Sequence, residues 1–139
     1  MKRVLLILLL TPFVFTACST EDAQKVADEF HQKLNAGEIN HIVNQMLDNT
    51  VTEKERLGFE EYLSGLHQKG KHENRQKTTS FNKSIKNGVT TVKLGYTFEV
   101  GGELVHEKLV LVDRGEGYKI IAVSMHPKKE VVDEFTAAY

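Results

Sequence analysis

The chain has 139 residues, 18 basic and 19 acidic side chains, six histidines, one cysteine and no tryptophan. That length supports one domain, and the near-zero net charge of −1 excludes a basic nucleic-acid binder. A single cysteine excludes an internal disulfide.

The N-terminus has the order of an export signal. Lys2 and Arg3 give a positive start, Val4 to Phe15 form a short apolar run, and the small residues Thr16 and Ala17 precede Cys18. The run is too short to span a bilayer, which takes about 20 apolar residues. Phe15-Thr16-Ala17-Cys18 resembles the lipobox of bacterial lipoproteins, with Phe where Leu is usual. The resemblance implies cleavage after residue 17 and lipidation of Cys18. A thioether to lipid would also remove the one free thiol, a liability in an oxidising compartment. Acyl chains hold a protein on a membrane, each buried methylene contributing about 0.8 kcal/mol. The implied location is the cell envelope. Ser19 after the cysteine points to the outer membrane if the host is Gram-negative. Cleavage removes two of the 18 basic residues and leaves 16, a mature net charge of about −3.

Residues 18–20 form the lipidated N-terminus with almost no tether, because helical periodicity starts at Glu21. Ala23, Val26, Ala27, Phe30 and Leu34 share one stripe, and Gly37 stops the helix. Ile39, Ile42, Val43, Met46 and Leu47 make a second helical face, ended by Asp48-Asn49-Thr50. Thr52 and Glu55 have capping-box spacing at the start of a third helix, whose stripe is Phe59, Tyr62, Leu63 and Leu66.

From Lys71 the period changes to two. Residues 71–86 are polar, with Phe81 and Ile85 the main apolar members. Lys69, Lys71, Arg75, Lys77, Lys83 and Lys86 face only Glu73 in this stretch, which suits a charge-protected edge strand better than an anion-binding surface. Asn87-Gly88 is a hairpin turn. Thr90, Val92, Leu94, Tyr96, Phe98 and Val100 then alternate with polar residues as a half-buried strand. Gly101-Gly102 turns into a strand over 103–113, and residues 114–117 turn into a last strand over 118–125. That strand is apolar on both faces, which predicts a central position. Glu130 to Phe135 can close the chain as a short helix, so residues 128–139 are a C-terminal helix or tail. Helices first and antiparallel strands after them define one α+β domain over 21–127.

Two features resemble small lipoproteins with a nuclear-transport-factor-2-like, or cystatin-like, domain. One is Phe30-x3-Leu34-x-Ala36-Gly37-Glu38-Ile39. The other is Leu109-Val110-Leu111-Val112, a charged glycine turn, then Gly117-Tyr118-Lys119-Ile120-Ile121, with Tyr118 where the family usually has Trp. The resemblance implies N-terminal helices packed on a curved antiparallel sheet of about four strands, a cone with an apolar pocket at its wide end. The fold hosts both enzymes and binding domains, so it does not itself give a function.

On the inner strand face that pocket would be lined by Leu94, Tyr96 and Phe98, with His106 from the neighbouring strand. No Asp partner for Tyr96 is evident, since Asp113 belongs to a turn, and no catalytic residue is assigned. The six histidines lack metal-ligand spacing and are expected as solvated surface residues. No metal and no cofactor is implied. The expectation is a membrane-anchored, non-catalytic envelope lipoprotein that binds a protein partner or a small apolar ligand, and no nucleic acid. The alternatives are a pocket enzyme, isomerase-like or hydrolase-like, acting on a small hydrophobic molecule, and a scaffold that self-associates as a homodimer through its sheet face. A histidine or carboxylate directed into a cavity at Tyr96 would favour the enzyme.

Overall fold

A computed structural model describes residues 18–139. The signal segment 1–17 and the side chain of Cys18, the expected lipidation site, lie outside the described residues. Helix α1 (Cys18–Ala36) is followed by α2 (Ile39–His41), which runs into a π-helical turn (Ile42–Met46), and by α3 (Glu53–Gln68). Strands β1 (Glu73–Lys86), β2 (Val89–Val100), β3 (Glu103–Asp113) and β4 (Tyr118–His126) come next, then α4 (Lys129–Thr136). The strands form one curved antiparallel sheet in the order β1-β2-β3-β4. The class is α+β, as the sequence indicates.

Helix α1 lays its predicted stripe on the inner face of the sheet. Ala23, Ala27, Phe30 and Leu34 are buried against Val92, Leu94, Phe98, Leu109, Leu111 and Ile120. The capping box at Thr52 and Glu55 is formed in both directions: the Thr52 hydroxyl accepts the Glu55 N–H, and the Glu55 carboxylate accepts the Thr52 N–H. Asn87 and Gly88 have φ of 52° and 76°, the positive values a two-residue hairpin turn requires, and they set Lys86 opposite Val89.

The end of this helical segment leaves backbone carbonyls without an intrahelical partner, and long cations bond there and in the turn that follows. Arg56 donates to Val43 O at 2.6 Å and to Asp48 O at 2.9 Å, and Lys119 donates to Gln45 O at 2.6 Å. The buried Asp48 carboxylate accepts the Thr50 N–H and hydroxyl and the Arg114 guanidinium. Burial would raise its pKa, but these bonds outweigh burial and hold the carboxyl below its ordinary range.

The central position expected for the last strand is corrected. β4 is an outer strand. It is apolar on both faces because it is covered on both, by α1 on the inner face and by α4 on the outer. Part of its free edge is also taken. Leu47 bridges to Ile120 in parallel, and Asp48 N–H donates to Ile120 O at 2.9 Å. The Tyr62 hydroxyl accepts Met125 N–H at 3.0 Å and donates to Met125 O at 3.2 Å. The edge is thereby capped near both ends, which limits strand addition. Helix α4 sits on the outer face that a sheet-mediated homodimer would use, held by Lys93 to Thr136 O at 2.8 Å and by Lys108 to Asp133 at 2.6 Å.

Candidate functional site

Strand register decides which predicted residues meet. Tyr96 pairs with Glu107, and the two share the inner face with Leu94, Phe98 and Leu109. His106 pairs with Thr97 and so falls on the other face; it does not join Tyr96 in an inner pocket. Leu94 and Phe98 are fully buried core residues. The carboxylate that faces Tyr96 is a glutamate where an Asp was sought: Glu107, whose side chain is 0% exposed.

Glu107 anchors a buried polar cluster. His31 Nε2 lies 2.5 Å from Glu107 Oε1. Arg75 Nη2 lies 3.8 Å from Glu107 Oε2 and donates to His72 Nδ1 at 3.0 Å. Phe98 supports the other side of this group: the His72 ring stacks on it at 4.1 Å, and the Arg75 guanidinium stands 5.0 Å from its centroid. The His31 ring meets Tyr96 edge-on at 4.7 Å. His31 and His72 are therefore buried members of a charge network, not the solvated surface histidines the spacing suggested.

The network opens on one side. Gln24, Asp28, His31, Arg75, Lys77 and Tyr96 line a recess of 350 Å³ beside α1. Gln24 Nε2 donates to Asp28 at 3.0 Å and to the Tyr96 hydroxyl at 2.6 Å. Arg75 Nε, His72 Nε2, Gln24 Oε1 and Glu107 Oε2 are buried without a hydrogen-bond partner among the described residues. Burial raises the Tyr96 pKa to about 12, so its hydroxyl keeps its proton at neutral pH.

Burial, reinforced by the Arg75 charge, lowers the His72 pKa from 6.5 to about 4. The unfolded chain takes up this proton near pH 6.5, and the folded chain only near pH 4. The stability contribution is therefore complete above pH 6.5 and is lost as the pH falls towards 4. Urea unfolding at pH 7 and pH 4.5 should differ by about 2 kcal/mol more in the parent chain than in His72→Gln. Equal pH dependence in the two proteins would contradict a buried neutral His72.

A second concavity lies at the opposite edge of the sheet. Helix α3, strand β4 and helix α4 enclose a mainly apolar groove of 530 Å³. Val51, Phe59, Tyr62, Val123, Phe135 and Tyr139 are its main walls. Phe135 and Tyr139 form a tilted pair with centroids 6.1 Å apart at the mouth, and each is about half exposed. Gly58 is an exposed residue of α3 in the groove lining, and a Cβ added there meets nothing within 4 Å among the described residues. The stripe of α3 and the face of α4 were each legible, but their convergence on one side of β4 was not.

Among the described residues, no group of three or more His, Cys, Asp and Glu side chains is arranged to hold a metal ion, and no helix is long and apolar enough to cross a membrane. The chain matches no family model, no curated protein and no solved structure.

Proposed function

We propose that this chain is an envelope lipoprotein, anchored through lipid on Cys18, whose domain is a non-catalytic carrier of a small apolar ligand in the α3–β4–α4 groove; His31 and Asp28 do line a recess at Tyr96, the feature that favours the pocket-enzyme alternative, but they are engaged by Glu107 and Gln24. The observation that carries the ligand reading is the groove itself: 530 Å³ walled by four aromatic and several aliphatic side chains. That volume is within the usual range of small-molecule sites, roughly 300–1,000 Å³. The half-exposed aromatic pair at its mouth is apolar surface that a ligand would cover. The anchor reading rests on the order of charge, apolar run, small residues and cysteine. The resemblance to nuclear-transport-factor-2-like lipoproteins is part of the same proposal, and the α+β class agrees with it.

Gly58→Leu tests the groove without touching the core. The added side chain projects from the groove lining into open space, and replacing an exposed helical glycine raises stability by about 0.5–1 kcal/mol. A neutral fluorophore such as N-phenyl-1-naphthylamine should bind residues 19–139 with a blue-shifted emission. Gly58→Leu should weaken this by at least about tenfold, since it removes most of the apolar contact. Equal binding by the two proteins would remove the groove as the ligand site.

A further inference from the structure

We propose that the recess beside α1 is a separate binding site for a small organic carboxylate, held by Arg75, Tyr96 and Lys77. The inference does not depend on the apolar groove. It rests on which hydrogen-bonding capacity around the recess is spent and which is left over.

Begin with Gln24. Its amide nitrogen faces the Asp28 carboxylate, which can only accept, so the orientation of the amide is fixed. The same nitrogen donates to the Tyr96 hydroxyl oxygen. Tyr96 thus accepts one bond and retains its own O–H to give. Arg75 directs Nη2 to His72, while Nε has no partner. Lys77, from the same strand, stands at the rim. Tyr96 and Lys77 therefore border the recess with donors unspent, and Arg75 lines it with an unbonded Nε buried behind its surface; Gln24 Oε1 and Glu107 Oε2 are the unbonded acceptors of the same cluster.

Glu107 is fully buried, with His31 at 2.5 Å and Arg75 at 3.8 Å. Asp28, which also lines the recess, is already bonded to Gln24, so Arg75 and Lys77 are the cations left facing it. A guanidinium with a phenol matches the two oxygens of a planar carboxylate. Buried polar atoms are nearly always bonded, so donors left open around a cavity mark a place where a ligand completes the set. The volume of 350 Å³ admits an organic acid with a ring or a short chain.

The test uses the full-length chain in detergent, titrated calorimetrically with sodium benzoate, with neutral benzamide of the same shape, and with inorganic phosphate. Benzoate should bind one to one, and benzamide at least about tenfold more weakly. Tyr96→Phe, which keeps the packing against His31, should weaken benzoate by about tenfold, and Lys77→Gln by about threefold. The arginine side-chain Nε–H resonance of Arg75 should shift on saturation. Gly58→Leu, which lies in the other cavity, should leave benzoate binding unchanged. No binding of benzoate, equal binding of benzamide, or equal affinity in Tyr96→Phe would overturn the proposal. Phosphate binding more tightly than benzoate would overturn the assignment to carboxylates.

Discussion

Glu107→Ala should cost about 3–5 kcal/mol of folding stability, the largest single effect expected outside the apolar core. The carboxylate is 0% exposed, and the His31 imidazole and the Arg75 guanidinium converge on it. Removing it leaves Arg75 held over the Phe98 ring without its counter-charge and His31 without its acceptor, both at low hydration. Glu107→Gln keeps the shape and one acceptor oxygen, so its loss should be nearer 2 kcal/mol. Replacing His31, Arg75 and Glu107 together by apolar residues should cost far less than Glu107→Ala, because no buried charge is then left alone. Urea unfolding with an unchanged slope measures all three. A loss below about 1 kcal/mol for Glu107→Ala would mean that the network is hydrated and that the charges do not depend on one another.

The second large effect lies on the opposite face of the sheet. Gly95 sits in the middle of β2, paired with Lys108 of β3, where a β-branched residue would ordinarily be welcome. On its other side the register of β1 shifts between Lys77 and Phe81. The extra residues fold across Gly95, with Ser80 N–H donating to the Thr78 hydroxyl at 3.2 Å. A Cβ at position 95 would meet the Thr78 hydroxyl, Ser80 Cβ at 2.9 Å and Ser80 O at 3.1 Å. One of those contacts is backbone, so rotating a side chain cannot relieve it. Gly95→Val should therefore dislodge the bulge and cost about 2–3 kcal/mol, a fall in Tm of about 10 °C. A Tm within about 2 °C of the parent would show that β1 yields freely at this point.

Much of the scaffold follows from local chemistry. The stripe from Ala23 to Leu34, the Thr52–Glu55 box and the Asn87-Gly88 turn each depend on spacing within a few residues, and each forms as its spacing dictates. The outer position of β4 was not legible from its two apolar faces. A strand covered by helices on both sides reads the same whether or not another strand lies beyond it. The polar cluster was partly visible. Val105, Glu107, Leu109 and Leu111 have the same parity, so Glu107 stands on the face of its apolar neighbours. His31 sits between Ala27 and Leu34 at helical spacing, beside the buried stripe. A charged or titratable residue in an apolar register is the signal that was available. Arg75 and His72 gave none, because they enter through an irregular start of β1 with Asn74 at φ 52° and a register shift after Glu73. The placement of His106 failed by a single residue: one step along a strand exchanges the faces, and Thr97, not Tyr96, is its partner.

The central claim is a lipid-anchored carrier, and native mass spectrometry of the full-length gene product extracted from membranes tests it most directly. The account predicts a chain beginning at Cys18, with the covalent mass of a diacylglyceryl group and any further acyl chain. It also predicts a smaller, non-covalent mass that leaves on denaturation and is absent from Gly58→Leu. An uncleaved chain of 139 residues without lipid, or a clean mass with no ligand released, would contradict it.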